Sequence, residues 1–414
     1  MKKYNIWNRW DPLQAVVLGS LPPSGSFDFI ENAEVRSTLQ RILDESERDL
    51  EYFDKILKQS GAEVLRVNNH NQKLYERSFE RIMSSGEVSM PKPLVTPRDR
   101  HIVLGNKLYS LTPGLYLQTE SKMLDEYNSI DRVNLTQQGI DCSIHAPQLT
   151  LVGKDLYIDV NGMEPLYFEA KKRRMHPVDM MEKFLHDMTL HANVIKKMNP
   201  DFRVHKLNIG GHNDGSFITF GEGKLLTMNY IQDYSKTFPL WKRYNIEGDP
   251  SVEKFHDWYQ FKKKTHGKFY IEGGVTDNFI NYVDEWLGDW VGNVEESYFD
   301  VNIFMIDPKT MCVTNPDHPT IRKVAKENGI ELVHVPWKHM FFWDGGLHCL
   351  TLDLNRKGDM EDYFPDRTDD EIVDEGYDVE DPYKMFIEHM PKQYQEKIAN
   401  RVKEKGWEID LSKR

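Results

Sequence analysis

Leu149–Ile158 has the sequence LTLVGKDLYI, in which two apolar runs flank the tight polar turn Gly153-Lys154-Asp155. An apolar run, a short polar turn and a second apolar run in that order are typical of a β-hairpin. The same pattern occurs three more times, at Ile102–Tyr109, Phe217–Leu226 and Ile303–Val313. Four hairpins of one kind indicate that the chain is built from repeated units.

Units that consist of a helix and then a strand accompany these hairpins. Asp44–Gln59 has apolar residues at helical spacing, and Gly61 is expected to end this helix before the strand Val64–Val67. The same order recurs in Met180–Leu207 and in Pro319–Val335. Hairpin, helix and strand therefore repeat about every 50 to 85 residues. We predict a repeat-built α/β fold, because the alternative, a doubly wound sheet, would have single strands between its helices.

The composition bounds the class of protein. Hydrophobic residues make up 39% of the 414, which is enough for a sizeable core. No apolar run approaches the ~18 residues of a membrane span, and no apolar segment follows Met1–Asn5, so we expect neither a membrane protein nor a secretory signal. The net charge of -13 disfavours nucleic acid as a partner and weakly favours a cationic small substrate. Three widely spaced cysteines form no disulfide framework, so we expect a cytoplasmic protein.

Reactive side chains lie just before each of the first three hairpins and before an apolar strand near the C-terminus. The candidates at these positions are Asp99, Asp141, His145, His212, Asp214, Gly346, His348 and Cys349. If the units are related by rotation about one axis, equivalent positions converge on that axis. A thiol, a histidine and several carboxylates would then share one cavity. Gly345 and Gly346 before the cysteine would let backbone and ligand approach closely.

Other chemistries are less well supported by these residues. Zinc is the obvious competitor for cysteine, histidine and aspartate, but the candidates contain no CxxC, HxxxH or HExxH pair. We therefore expect no metal, and no nucleotide-binding motif indicates a cofactor. Taken singly, Cys349 could be a small buried hydrophobic residue and His212 a hydrogen-bonded loop residue.

Gly345–Gly358 resembles the nucleophile segment of glycine and inosamine amidinotransferases. Their version has a glycine run, an aromatic residue, His-Cys, and then a threonine, an aspartate and basic residues. Trp10–Gly19, Pro97–Asp99 and His212–Phe217 resemble further segments of that family in the same order. The resemblance extends from about residue 4 to residue 358, and the cysteine segment is its most specific part. It implies a pentein-like fold, an α/β propeller of five ββαβ-type units around a central channel.

The resemblance also implies a covalent mechanism. Cys349, as a thiolate, would attack the central carbon of a guanidinium group. His212 would protonate the departing amine and then deprotonate the incoming one. Asp99 and Asp214 would clamp the guanidinium through paired hydrogen bonds, because its planar fork matches carboxylate geometry. The implied substrate-binding residues are Asp99, Asp214, Gly346 and His348.

This chain departs from the family pattern at two places. The family has an aspartate just upstream of its second hairpin that orients the catalytic histidine. Here His145 falls on that position and Asp141 lies four residues earlier, so each is a candidate catalytic residue that orients His212. The family also has an arginine after the third hairpin that holds the substrate carboxylate. Met228–Gln232 contains no arginine, so the donor and the acceptor both stay open.

We therefore expect a catalytic α/β propeller at residues 1–358 with an insertion at about 230–293, and an acidic C-terminal extension at 359–414 that lies on or beside it. The expected activity is amidino transfer from an arginine-like guanidine donor to an amine acceptor, and a homodimer is a further expectation. A guanidine hydrolase of the same fold, in which water attacks the intermediate, is one alternative. A catalytically inactive binding protein on this scaffold is another.

Overall fold

In the computed structural model, the described strands form five separate three-stranded sheets. The structure describes residues 1–66, 93–110, 124–134, 146–159, 190–207, 212–228, 234–246, 275–287 and 300–368, with isolated positions at 179, 271, 290, 291, 400 and 404. The strands are β1 Leu13–Leu18, β2 Glu63–Arg66, β3 His101–Leu104, β4 Lys107–Ser110, β5 Arg132–Asn134, β6 Leu149–Val152, β7 Asp155–Asp159, β8 Arg203–Leu207, β9 Phe217–Gly221, β10 Lys224–Met228, β11 Lys242–Ile246, β12 Phe304–Asp307, β13 Thr310–Val313, β14 Glu331–His334 and β15 Thr351–Arg356. The helices are α1 Ala33–Gln59, α2 Asn213–Ser216, α3 Asp277–Trp286, α4 Pro319–Asn328 and α5 Met340–Trp343, and residues 190–198 are also helical.

Each sheet consists of an antiparallel pair and a third strand that is parallel to one of them. The pairs β3–β4, β6–β7, β9–β10 and β12–β13 are the four predicted hairpins, which are confirmed. Gly105 and Gly153 in the first two turns each have φ of 58°, a left-handed conformation that favours glycine. The third strands β5, β8, β11 and β14 complete these sheets. Five small sheets exclude the doubly wound alternative.

The fifth sheet joins the two ends of the chain. β15 pairs antiparallel with β1, so that Leu18 lies opposite Thr351 and Val17 opposite Leu352. β2 then adds to β1 in parallel. This pairing closes the ring of sheets, and the architecture is the five-bladed α/β propeller that the resemblance implied. The closure also fixes the position of Cys349, which lies two residues before β15.

The core fills the spaces between neighbouring sheets. Val17 and Leu352 of the closing sheet pack in one cluster with Val103 and Leu108. The other side of the closing sheet, with Val16 and Leu18, packs with Phe304 and Ile306 of β12. The sheets of β3–β5 and β6–β8 share Ile102, Leu104, Leu149 and Leu151. The sheets of β9–β11 and β12–β14 share Phe217, Ile218, Met305 and Met311. Burial between successive sheets therefore holds the ring together.

Helix α1 shows how the sequence sets an element in this ring. Asn32 caps it, because its Oδ1 accepts hydrogen bonds from the main-chain nitrogens of Glu34 at 3.1 Å and Val35 at 3.2 Å. The buried stripe contains Val35, Leu39, Ile42, Leu43, Leu50, Phe53 and Leu57. The helix ends before Gly61, whose φ is 89°. The predicted stop is confirmed, whereas the predicted start at Asp44 was wrong, because the capped helix begins about three turns earlier, at Ala33.

Part of the expected insertion at 230–293 belongs to the sheets and the core of the propeller. Lys242–Ile246 forms β11, which pairs in parallel with β10 and completes the sheet that begins with β9 and β10. Its alternating pattern places Tyr244 and Ile246 in the core and leaves Lys242 and Arg243 exposed. Farther along, α3 packs through Phe279 and Val283 into the same core cluster as α1. The sequence interpretation of this whole stretch as an insertion was therefore too broad.

The beginning of the acidic extension lies against the propeller. Phe364 is buried in the core cluster of β9 and β10. Arg203 of β8 donates from Nη1 to the main-chain oxygen of Phe364 at 2.6 Å and pairs through Nη2 with Asp155 and Asp362. This segment is thus bound by a buried cation. None of the described helices is both long and apolar enough to cross a membrane.

Candidate active site

The segments that precede β3, β6, β9, β12 and β15 are joined by hydrogen bonds. Four bonds between side chains and main chain make these connections: Arg98 Nε to His348 O at 2.9 Å, Asn213 Nδ2 to Gln148 O at 2.9 Å, Asn302 Nδ2 to Asp214 O at 3.0 Å, and Cys349 N to Asn302 Oδ1 at 3.0 Å. Each segment occupies the same place in its own sheet. The repeat therefore brings one position from every sheet into a shared neighbourhood.

The turn that carries the cysteine is shaped by two glycines. A Cβ atom on Gly345 would lie 2.8 Å from both Cys349 Cβ and Thr96 Cγ2, and a Cβ on Gly346 would lie 2.7 Å from Asn302 Cβ. Real Cβ atoms do not approach other carbons so closely. Trp337 Nε1 also donates to the Gly345 carbonyl at 2.8 Å. The glycines thus allow Cys349 and Asn302 to lie against the turn.

The Cys349 sulfur lies between an amide and a carboxylate. Asn302 Nδ2 donates to Sγ at 3.2 Å, and Sγ lies 3.6 Å from Asp214 Oδ2. The main-chain nitrogen of Cys349 donates to Asn302 Oδ1 at 3.0 Å. The cysteine is fully buried. These two contacts fix the orientation of the Cys349 side chain.

His348 and Asp214 form a buried pair beside this sulfur. His348 Nδ1 lies 2.6 Å from Asp214 Oδ2, and since a carboxylate only accepts, the proton is on Nδ1. Burial and the charges of Arg98 and Arg9 lower the pKa of His348 to about 3, so its imidazole is neutral. Burial opposes ionisation of Asp214, but the hydrogen bond from His348 and the charge of Arg9 outweigh it and hold the pKa of this carboxyl below its usual range. Asp214 is therefore an anion.

Two buried arginines set the electrostatics around this pair. Arg98 Nη2 lies 3.2 Å from Asp353 Oδ1, and Arg356 Nε donates to Asp353 Oδ2 at 3.0 Å. Arg9 donates to Thr150 Oγ1 at 2.8 Å, and burial lowers its pKa to about 10 although the charge of Asp214 opposes this. Arg9 therefore remains charged at neutral pH. Its charge favours the anionic state of Asp214.

The structure places the other predicted residues as follows. His212 is half-buried directly before α2, and its charge acts on Asp214 two residues later. Asp99 ends the short 3-10 turn Pro97–Asp99 and accepts from Thr96 Oγ1, the residue that also lies against Gly345. Asp141 and His145 lie outside the described residues. Over the described ranges, no cluster of three or more His, Cys, Asp or Glu residues is arranged to hold a metal ion.

Sequence reasoning missed Asn302 and the two arginines. Asn302 directly precedes the fourth hairpin, which is the position that identified Asp99, Asp214 and the residues before the second hairpin. Applying that rule to the fourth hairpin would have found it. Arg9 and Arg98 carry no comparable signal, because an arginine in a loop segment is usually at the surface. The structure also has Gly346 and His348 contacting Asn302 and Asp214.

Comparison with curated proteins gives amidinotransferases among the sequence relatives. The L-arginine:L-lysine amidinotransferase of Pseudomonas savastanoi pv. phaseolicola is 21% identical over 392 residues, which cover 86% of this chain and 96% of that protein. The mitochondrial glycine amidinotransferase of Danio rerio is 32% identical over 71 residues, 17% of each chain. No family model matches the chain.

Comparison with solved structures supports the fold. An amidinotransferase of saxitoxin biosynthesis from Microseira wollei matches with a TM-score of 0.53 and 15% identity, over 87% of this chain and 99% of that one. The inosamine-phosphate amidinotransferase of Streptomyces griseus matches with a TM-score of 0.53 and 16% identity over the same shares. These likenesses show a common fold, and the sequence match to a curated relative runs through nearly its whole length. The chain is therefore similar in sequence to an amidinotransferase over most of its length, and it shares the fold of amidinotransferases.

Proposed function

We propose that this protein transfers an amidino group from a guanidine donor to an amine acceptor through a covalent intermediate on Cys349. The observation that carries the proposal is that the buried Cys349 sulfur lies 3.6 Å from the carboxylate of anionic Asp214. His212 precedes Asp214 by two residues in the chain. Asp214 Oδ1 is buried and accepts no hydrogen bond from the described residues. A planar guanidinium is the cation whose N–H groups suit such an oxygen. Bound there, its central carbon would lie beside the sulfur.

In the first half of the reaction, the Cys349 thiolate adds to the central carbon of the guanidinium. The bond from that carbon to the substituted nitrogen then breaks. Protonated His212 gives its proton to that nitrogen, and the donor departs as a neutral amine. The amidino group remains on sulfur as a cation, and His212 is left neutral.

In the second half, the acceptor amine attacks the same carbon. Neutral His212 takes the proton that the amine loses, the bond from carbon to sulfur breaks, and Cys349 is released as a thiolate. Asp214 binds the planar cation through Oδ1, while its Oδ2 holds His348. Asp99 supplies the second carboxylate of the clamp. Because both half-reactions use the same groups, no further reactant is required.

L-Arginine and L-lysine are the first donor and acceptor to test, because the relative that matches over most of the chain is named for that pair. The family arginine that holds a substrate carboxylate has no counterpart in residues 228–232. A panel of guanidines without a carboxylate therefore belongs in the same assay. The acidic net charge of -13 favours cationic donors generally.

The decisive experiment is mass spectrometry of the protein mixed with each guanidine, combined with product analysis. The expected result is an amidino adduct on Cys349 and, when an amine is added, a new guanidine and the amine left by the donor. Cys349→Ala should form no adduct and turn over no substrate, while its thermal midpoint stays near that of the wild type. Citrulline or urea as the product would mean that water attacks, which is the hydrolase alternative. Turnover by Cys349→Ala would exclude the covalent mechanism, and the absence of adduct and turnover with every guanidine would favour the inactive binding protein.

The cytoplasm is the proposed location. Cys312 and Cys349 are both free and buried, which suits a reducing compartment. A homodimer remains a prediction, to be tested by light scattering of the purified protein.

A further inference from the structure

The side-chain amide of Asn302 forms hydrogen bonds with both Cys349 and Asp214. Nδ2 donates to Cys349 Sγ at 3.2 Å and to the Asp214 carbonyl at 3.0 Å, and Oδ1 accepts from the Cys349 main-chain nitrogen at 3.0 Å. The residue is 5% exposed. Three of the four hydrogen bonds that an amide can make are therefore used within the site.

The surrounding groups determine which end of the amide faces the sulfur. If the amide were flipped, Nδ2 would oppose the Cys349 N–H and Oδ1 would oppose the Asp214 carbonyl oxygen. The first would place two donors together and the second two acceptors, so the flipped orientation is unfavourable. The N–H group of Asn302 must point at Sγ. The orientation thus follows from the hydrogen-bond network.

The position of Asn302 is fixed by packing as well. A Cβ on Gly346 would lie 2.7 Å from Asn302 Cβ, so the turn before the nucleophile has a space that this side chain fills. The His348 main-chain nitrogen also donates to the Asn302 carbonyl at 3.3 Å. Main chain and side chain of Asn302 therefore both contact the turn. An amide held in this way needs little reorganisation when the charge on sulfur changes.

A thiolate on Cys349 would be destabilised by its surroundings, and the Nδ2–H of Asn302 can offset this effect. Ionisation of Cys349 places a thiolate 3.6 Å from the Asp214 carboxylate, and two like charges at that distance disfavour one another. A hydrogen bond to the ionised form favours that form. Unlike a lysine or arginine, a neutral amide adds no positive charge that would repel a guanidinium. Asn302 can therefore stabilise the thiolate without weakening the binding of a cation.

We propose that Asn302 is a catalytic residue whose Nδ2–H stabilises the Cys349 thiolate, both before attack and when the thiolate leaves the amidino carbon. This inference rests on the proposed role of Cys349 as the nucleophile. It assigns to the segment before β12 a contribution to catalysis that neither the predicted site nor the family resemblance includes.

The test measures the reactivity of the thiol separately from turnover. The rate of Cys349 alkylation by iodoacetamide is followed against pH by mass spectrometry, in the wild type, Asn302→Ala and Asn302→Asp. Without the donor, alkylation should require a higher pH, and most of all in Asn302→Asp, which adds a like charge. At neutral pH the rate should fall by roughly tenfold or more, since a hydrogen bond to a charged group is worth 1.5–3 kcal/mol. The kcat should fall by a similar factor while KM changes little.

Asn199→Ala is the matched control. Asn199 is a similarly buried asparagine whose Nδ2 donates to the Ile195 carbonyl at 3.0 Å and to the Tyr109 hydroxyl, away from Cys349. It should lose stability without a change in the pH dependence of alkylation. If Asn302→Ala fails to fold, the more nearly isosteric Asn302→Asp carries the test. An alkylation profile that is unchanged in the folded variants, with the amidino adduct still formed, would overturn the role of Asn302 alone. Absence of the adduct in the wild type, with a shifted alkylation profile in the variants, would instead overturn the proposed function.

Discussion

His348 Nδ1 donates to Asp214 Oδ2 at 2.6 Å, across 134 residues of chain. The family resemblance implied that both residues bind substrate, and the structure adds that they are hydrogen-bonded to each other. His348, the residue beside Cys349, thus orients the carboxylate and occupies one of its oxygens. In the proposed reaction a guanidinium would therefore bind to Oδ1 of Asp214, which accepts no hydrogen bond from the described residues.

The carboxylate clamp can be tested by binding. In the Cys349→Ala background, Asp99→Asn and Asp214→Asn should each weaken arginine binding by about tenfold or more, because a hydrogen bond to a charged group contributes about 1.5–3 kcal/mol. Calorimetry measures the affinities. Asp317→Asn, at an exposed residue paired with Arg322, controls for the change in net charge and should bind normally. Unchanged affinity in both site variants would mean that the guanidinium binds elsewhere.

The residue that orients His212 stays a prediction, since Asp141 and His145 lie outside the described residues. A carboxylate near His212 would fix the ring and bring its pKa near neutrality, which serves a group that gains and loses a proton in one cycle. We expect Asp141→Asn to lower kcat by about 10²-fold or more and to shift the pH–rate profile. Should Asp141→Asn leave both unchanged while His145→Ala removes activity, His145 would be the orienting group.

The glycines of the nucleophile turn should not tolerate a methyl group. In Gly346→Ala the new Cβ would lie 2.7 Å from Asn302 Cβ, which is itself held by three hydrogen bonds. Relief of this clash would displace Cys349, and we expect a loss of kcat together with about 1–3 kcal/mol of stability. In Gly221→Ala the nearest atom is Lys224 Cδ at 3.6 Å, an ordinary contact. Steady-state kinetics and denaturant unfolding of both variants give the comparison, and equal activity would contradict the prediction.

Asp11 should make stability fall as the pH rises through the weakly acidic range. Burial raises the pKa of Asp11 to about 6, against an ordinary value of 3.8, although Asn8 donates to it at 3.2 Å. The folded protein therefore binds the proton more tightly than the unfolded chain does. Stability associated with this group is complete below pH 3.8 and is lost as the pH rises to about 6.

Asp11→Asn removes that titration. Its thermal midpoint, relative to the wild type, should rise as the pH increases from about 4 to 6 and then level off. Calorimetric scans at several pH values measure the difference between the two proteins, so that other titrating groups cancel. Parallel curves would show that Asp11 is not the group responsible.

Features that depend on neighbours in the chain were predictable. The four hairpins are such features, because each needs only an apolar run, a turn with suitable residues and a second run. The stop at Gly61 follows from a positive φ angle that glycine favours. β11 was missed although Tyr244 and Ile246 alternate with polar residues, because the aromatic residues around it suggested an insertion. The alternation that indicates a strand was present, but it covers only two apolar residues.

The sequence by itself determined the repeating unit, the resemblance to amidinotransferases and the segment that carries Cys349, since all of these depend on contiguous residues. Only the tertiary structure decided what surrounds the sulfur. Asn302 lies 47 residues from Cys349 and Asp214 lies 135 away, so their contacts exist only after the ring has closed through β1 and β15. Hydrogen bonds of a few ångströms depend on how five sheets pack against one another, and no local pattern encodes that packing.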